Sequence, residues 1–405
     1  MAKESLVIIQ KGSAAPSDTV EVKEEVKPPK DSYNQIQIEV EAMSPVLRDP
    51  VQPEQDIFSQ LKHVKGIKIG HLNCNSLRNK LDELKLLLLC RAIFDVMTLS
   101  ETWFGENDAN ESFNVPGYTI MSRKDGAPKF TGRPRGGVLI YVKDSLSRLV
   151  RECDTKMEEG LEACCIDIQL GGSNDVGQGS DQINMCLKKN ILRIITVYVP
   201  PGTRGQVSLL KKLQSSLNSL KATDSCKSTD CCCKTNYVIL GDLNCDRKTL
   251  SSCKSMKSVK GKKLQTLDEI ENSHHLSQMI KHPTRVQCKK KRGQPTYYER
   301  TESLIDFVLS DILAVSSGVI HSAISDHYMV YCAYEPDKKD LFKSTPLLTF
   351  EEFSQLTKSD IDEEVYGMIL ARDIAKERGV WDACKEWKKA IKRAMNENKK
   401  ERKQK

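Results

Sequence analysis

Seven short polar clusters hold the side chains of this chain that are suited to chemistry. They are Leu-Asn-Cys-Asn-Ser-Leu at 72–77 after His71, Ser-Glu-Thr-Trp at 100–103, Val-Tyr-Val-Pro-Pro at 197–201, Gly-Asp-Leu-Asn at 241–244, His-Pro-Thr at 282–284, Ser-Leu-Ile-Asp at 303–306 and Ser-Asp-His at 325–327. Each has a plain reading when taken alone. Asn73 and Asn75 suit a turn, Asp242 to Asn244 could be a simple loop, and Ser325 could cap a helix. Glu101 is harder to place, because a carboxylate directly after an apolar strand wants a cation or a partner. An Asp beside a His, as at Asp326–His327, is also a way to hold an imidazole in one tautomer. Taken together the clusters supply the groups that metal-assisted phosphodiester hydrolysis needs. A hard divalent cation takes oxygen ligands, which Glu101 and the asparagines offer. Asp242 is placed to orient or deprotonate a water, and a protonated His327 to neutralise charge on phosphoryl oxygens. Asn244 and Tyr198 add donors for a phosphate. Neither a Gly-x4-Gly-Lys-Ser/Thr phosphate loop nor a Gly-x-Ser-x-Gly nucleophile motif is present.

These clusters sit at the ends of predicted strands. Ile67–Leu72 alternates, and Val96–Ser100, Gly137–Val142, Leu192–Val199, Asn236–Leu240, Leu304–Ser310 and Met329–Tyr334 are short apolar runs of strand length. Leu77 to Ala92 has helical periodicity. Leu209, Leu210, Leu213, Leu217 and Leu220 form a core-facing stripe on a helix over 207–220. Many short strands with few helices predict a layered α/β sandwich.

Composition narrows the class further. The chain has 405 residues, 39% of them hydrophobic and 29% charged. No apolar run approaches the roughly 18 residues of a membrane span, and the N-terminus has no secretory pattern. An intracellular protein, nuclear or cytoplasmic, with no membrane partner is expected. The 15 cysteines are sparse for this length and irregularly spaced, so reduced thiols are expected. Cys226 to Cys233 does not have a standard zinc spacing. The formal charge is +7 overall, but its distribution is uneven. Residues 1–56 carry 6 basic and 11 acidic side chains, and residues 386–405 carry 9 basic and 3 acidic. The expected organisation is a disordered acidic region over 1–60, a catalytic domain over 65–336, and a helical linker with a basic tail over 337–405.

The ordered set of motifs resembles the endonuclease/exonuclease/phosphatase superfamily, over about two thirds of the chain. Within it, the chain looks most like the apurinic-type endonuclease domains of non-LTR retrotransposons. That resemblance implies a four-layered α/β sandwich of two mixed sheets flanked by helices. It implies Mg2+, with Mn2+ as the alternative, held by Glu101 with help from Asn75. It also implies Asp242 activating water, Asn244 and Asn73 positioning the phosphate, and Asp306 near the scissile phosphate or a second metal position. The Asp326–His327 pair would stabilise the transition state, and Tyr198 fits the apurinic-type branch. Thr284 and Ser303, in the His-Pro-Thr and Ser-x-Ile-Asp motifs of the retrotransposon branch, are assigned to phosphate and substrate binding. Asn75 departs from the aspartate of cellular repair enzymes, which counts against abasic-site repair.

Residues 285–298 read as a hairpin with a basic tip, and Lys289, Lys290, Lys291 and Arg292 are expected to meet DNA phosphates. Residues 337–405 contain no Ala-Asp-Asp polymerase box. The expectation is thus a nuclease without its polymerase, as a truncated element, a domesticated gene or a fragment. The expected function is metal-dependent nicking of DNA, with no small-molecule ligand. The alternatives are a superfamily phosphodiesterase acting on RNA or a phosphoinositide, and an inactive DNA-binding relic.

Overall fold

In the computed structural model of the chain, the described residues are 61–91, 94–127, 132, 134–153, 157–170, 190–202, 205–224, 234–251, 258–291, 294–335, 347–357 and 359–404. The expected N-terminal region, the Cys226–Cys233 segment and Arg292 lie outside them. The first half runs β1 (Ile67–Asn73), α1 (Leu81–Leu86, extended by a wide π-type turn to Arg91), β2 (Val96–Ser100), β3 (Tyr118–Lys124), β4 (Val138–Lys143), β5 (Val150–Glu152), β6 (Glu162–Gln169) and β7 (Asn190–Tyr198). The second half runs α2 (Gln206–Asp224), β8 (Lys234–Asp242), α3 (Arg247–Ser251), α4 (Val259–His274), β9 (Ser277–Gln278), β10 (Arg285–Lys291), β11 (Gln294–Ser303), β12 (Asp306–Ser310), β13 (Ser316–Ile320) and β14 (Met329–Tyr334). Three helices close it: α5 (Phe350–Thr357), α6 (Glu363–Glu377) and α7 (Trp381–Gln404).

The strands form two six-stranded mixed sheets, ordered β13-β14-β1-β2-β4-β3 and β5-β6-β7-β8-β12-β9, with β10 and β11 as a separate ribbon. Successive strand residues face opposite sides, and here both sides are buried. Ile67, Ile69, Val138, Ile140 and Val142 of the first sheet meet Ile166, Ile168, Ile194, Val238 and Leu240 of the second in one apolar layer. The alternate residues of the second sheet, among them Ile195, Val197 and Ile239, pack on Leu210, Leu213, Leu217 and Leu220 of α2 and Leu267 and Ile270 of α4. This is the expected four-layered sandwich. It explains why the strands read as continuous apolar runs with little polar alternation. Among the described residues no helix is long and apolar enough to cross a membrane.

Two features differ from the sequence expectation. Helix α1 starts at Leu81 and not at Leu77, because Ser76 has φ +78° and Leu77 still donates its N–H to the Thr102 carbonyl at 3.2 Å. That backbone pairing continues the β1–β2 ladder beyond the strands and postpones the helix. Within the region expected as a helical linker with a basic tail over 337–405, helices α5, α6 and the first half of α7 contribute to the outer layer of the first sheet. Phe353, Ile361, Val365, Met368, Ile369 and Ile391 are buried there with Met97, Leu99 and Tyr141.

If α7 is part of this core, Ile391→Ala should cost about 2–5 kcal/mol, the usual range for a buried large-to-small change. Urea denaturation followed by circular dichroism measures it. A loss no larger than that of a surface substitution would mean the helix is not docked in solution.

Candidate active site

Sheet register brings the expected residues to one end of the sandwich. Tyr198, the last residue of β7, lies opposite Asp242, the last of β8, and Asp242 lies opposite Asp306, the first of the antiparallel β12. In the facing sheet, Asn73 at the end of β1 lies opposite Ser100 at the end of β2, one residue before Glu101. The parallel pairs β1–β2 and β7–β8 thus end at the same rim, where loops leave the sheets and functional side chains can converge.

The Asn73 amide joins the two sheets. Its Nδ2 donates to Glu101 Oε1 at 3.0 Å and to Asp242 Oδ2 at 2.8 Å. Its Oδ1 accepts the Asn75 backbone N–H at 3.1 Å. Glu101 Oε1 also accepts from the Tyr198 hydroxyl at 3.0 Å, and Oε2 from Trp103 Nε1 at 3.3 Å. Asp242 accepts from the Asn244 backbone N–H at 2.8 Å and from Asn244 Nδ2 at 3.1 Å. The same Asn244 amide donates to the Val199 carbonyl at 3.0 Å.

The backbone at these positions is unusual. Asn75, Glu101, Trp103 and Asn244 have φ of +45°, +53°, +58° and +48°. Asparagine tolerates this left-handed region, but for Glu101 and Trp103 it costs on the order of 1–2 kcal/mol each. The surrounding backbone enforces it. The Glu101 carbonyl accepts from Ser76 N at 2.8 Å, and Trp103 N donates to the Gly136 carbonyl at 2.9 Å. The strain turns the Glu101 carboxylate into the rim.

His327 stands between the two aspartates of the second sheet. Its Nδ1 is 2.9 and 3.1 Å from the Asp306 oxygens, and its Nε2 is 3.9 Å from Asp242 Oδ2. All three side chains are buried. Burial raises the Asp242 carboxyl, the nearby Asp306 charge raises it further, and His327 partly offsets both, leaving it at about 7. For His327, burial acts downward, but Asp306, Asp242 and Asp326 outweigh it and hold the imidazolium up to about 9. Burial and the neighbouring Glu101 push the Tyr198 hydroxyl well above its ordinary range, so it stays a donor.

Several expected roles change with this geometry. The carboxylate that fixes His327 is Asp306, not its chain neighbour Asp326. Asp326 turns the other way, paired with Arg285 at 2.6 Å and within 3.5 Å of the Asn75 amide. No helix follows Ser325; strand β14 does. Thr284, expected at a phosphate, is fully buried, and its Oγ1 accepts the N–H groups of Ile305 and Asp306 at 3.2 and 3.0 Å. It therefore braces the start of β12 from behind. Ser303 is half-buried and its carbonyl accepts from Thr284 N at 2.9 Å. Lys289, Lys290 and Lys291 lie on β10, but their side chains, like Arg292, are outside the described residues. Trp103 and Arg285 were not singled out as site residues in the sequence. The Ser-Glu-Thr-Trp motif carries Trp103 in plain view, while Arg285 gives no local signal.

A divalent cation fits this rim on the chemistry of its donors. The Glu101 carboxylate is oriented by three donors and only half-buried, and it adjoins the exposed Asn75 loop. Such an oxygen-only set suits a hard cation. Ligand atoms of Asp242, Asp306 and His327 also lie within 4.8 Å of one another. There the imidazole already spans the two carboxylates, and once protonated it donates and cannot ligate. Glu101 is therefore the better anchor.

Residues 192–331 match the family described as endonuclease-reverse transcriptase. Among solved structures the chain is similar to the catalytic domain of Xenopus laevis APE2, at 16% identity over 67% of this chain and 95% of that one, with a TM-score of 0.43. It is similar to the AP endonuclease LMAP from Leishmania major, at 15% identity over 76% and 96%, with a TM-score of 0.43. It is also similar to the human Nocturnin catalytic domain with bound sulfate, at 12% identity over 66% and 92%, with a TM-score of 0.38. No curated protein matches the chain.

The electrostatics can be tested without any substrate. In metal-free buffer the His327 imidazole, followed by NMR, should titrate near 9. Asp306→Asn removes the largest upward influence and leaves the burial, so the titration should fall by more than one pH unit. An unchanged titration would mean that Asp306 does not hold the ring.

Proposed function

We propose that this chain, which has the fold of the endonuclease/exonuclease/phosphatase superfamily, is a Mg2+-dependent DNA endonuclease. It would nick one strand and leave a 3′ hydroxyl able to prime reverse transcription at a target site. The observation that carries the reading is the Asn73 bridge. It ties the carboxylate suited to a cation, Glu101, to the carboxylate suited to a water, Asp242, with an imidazolium beside them. DNA as the substrate is supported by the basic β10–β11 ribbon, whose base pairs with the backbone of His327 through Arg285. The match to endonuclease-reverse transcriptases supports it too.

Glu101 and Asn75 would hold the cation, which would supply charge neutralisation at the scissile phosphate. The protein groups supply the rest. Asp242, ionised above about 7, takes a proton from the attacking water as its oxygen bonds to phosphorus. The P–O3′ bond breaks, and the leaving O3′ takes a proton from solvent water, giving a 5′ phosphate and a 3′ hydroxyl. Asn73 and Asn244 hold the Asp242 oxygens so that the base faces one direction. His327, its Nδ1 proton committed to Asp306, presents Nε2–H to a phosphoryl oxygen as negative charge builds. Tyr198 keeps Glu101 turned toward the rim.

Supercoiled-plasmid nicking by the full chain tests this. Conversion to open circles should require Mg2+ and be abolished by EDTA. Asp242→Asn and His327→Gln should each lower the rate by about a thousandfold. The rate should rise with pH through about 7 as Asp242 ionises and fall above about 9 as His327 loses its proton. These limbs belong to the coupled cluster as a whole. Nicking that persists in both variants would place the chemistry elsewhere.

A further inference from the structure

Helix α6 buries three charged side chains, Arg372, Asp373 and Lys376, at 2%, 6% and 3% exposure. Docking a helix on a sheet does not require them. Val365, Met368 and Ile369 of the same helix already supply an apolar face, and a buried charge costs several kcal/mol unless it is fully partnered. Their partners explain their presence. Lys376 Nζ donates to the carbonyls of Ser322 and Ser325, both at 2.8 Å. The same ammonium lies 4.5 Å over the Tyr328 ring. Asp373 Oδ1 accepts the Ala323 N–H at 3.2 Å. Every one of these groups belongs to the segment 322–328, which contains His327.

The far side of the network is anchored to α1 and the π-type turn after it. Arg372 pairs with Glu83 at 2.8 Å and Asp373 with Arg91 at 2.7 Å, while Arg372 also donates to Asp373 at 2.9 Å. We propose that Asp373 and Lys376 are positioning residues, a clamp from the C-terminal helices that sets the 322–328 segment so that His327 meets Asp306 and Asp242. The clamp grips the chain on both sides of the histidine, at Ser325 and at Tyr328. The end of the segment after the histidine is also tied just before β10, where Tyr328 N donates to the Thr284 carbonyl at 2.6 Å, whereas before the histidine Ser325 Oγ accepts from His327 N only at 3.4 Å. Burial lowers the Lys376 ammonium to about 7, with Lys388 adding to the effect. Even the neutral amine keeps two N–H donors, one for each carbonyl. The clamp makes residues 363–377 part of the catalytic unit. Its effect on turnover rests on the nuclease reading, but its effect on the segment does not.

Lys376→Met removes the donor while relieving a buried charge, so the chain should still fold. In the full chain, turnover on plasmid DNA should fall about ten- to hundredfold, as expected for a catalytic group misplaced by about 1 Å. KM should stay within about twofold, because no substrate contact is lost. Amide hydrogen exchange over 322–328 should speed up about tenfold or more, a local opening. Met368→Ala, a cavity two turns before Lys376 in the same helix that removes none of the polar contacts to the segment, should lower stability and leave both readouts near wild type. Unchanged exchange in Lys376→Met would overturn the clamp, and so would an equal loss of turnover in Met368→Ala. Faster exchange with unchanged turnover would reduce it to a structural tie. If the wild-type chain cuts no DNA, the nuclease reading falls, and the exchange comparison alone decides whether the clamp exists.

Discussion

The arrangement of this site depends on one amide. Asn73 ends a strand of one sheet, yet its Nδ2 reaches across to the last residue of a strand in the other. A carboxyl side chain could not do this, because two carboxylates as neighbours would repel it, whereas an amide nitrogen offers two donors to two acceptors. The position of that nitrogen follows from the packing of the sheets. The apolar layer around Ile69, Ile140, Ile194 and Leu240 sets their separation, and that separation sets the distance between Glu101 and Asp242. Core packing and site geometry are therefore one constraint. Gly241 shows how tight it is. A Cβ there would overlap the Val197 carbonyl of the adjacent strand, next to Tyr198 and Asp242.

The second sheet solves a different problem, that of keeping charge away from water. Asp242, Asp306 and His327 are all buried, and the imidazolium between the two carboxylates partly offsets what burial and the Asp306 charge do to Asp242. Burial and mutual repulsion raise Asp242, while the same two carboxylates raise His327. Both shifts therefore come from one arrangement, and they leave a base and an acid that coexist near neutral pH. The left-handed backbone at Glu101 and Trp103 is a further cost, held in place by hydrogen bonds to Ser76 and Gly136.

The fold was legible because the central strands, such as β1, β2, β4, β12 and β14, are buried on both faces, so their apolar runs stand out from the loops. The residues of the site were legible for the same reason: polar residues immediately after such runs have few structural uses. Their pairing was not. Asp326 precedes His327 in the chain, and the sequence suggested that they act together. Neighbours in an extended segment point to opposite sides, so Asp326 faces Arg285 and Asn75 while His327 turns to Asp306. That partner comes from strand register across β8 and β12, which no local pattern reports. Thr284 misled in a similar way. Its hydroxyl is used inside, on the N–H groups that open β12.

The C-terminal helices were the largest gap, for a physical reason. Helical periodicity in 350–404 is plain, but a sequence reading takes charged residues as the solvent side. In α6 the rule fails, because Arg372, Asp373 and Lys376 point inward with the apolar face. They can do so because the covered surface is not purely apolar. It includes the carbonyls of Ser322 and Ser325 and the N–H of Ala323, groups of an irregular loop that no strand satisfies. A buried loop needs partners for its backbone, and a purely hydrophobic helix could not have covered this one. The charges on α6 thus follow from the irregular path the chain takes into His327, and that path follows from bringing the histidine between two aspartates of the opposite sheet.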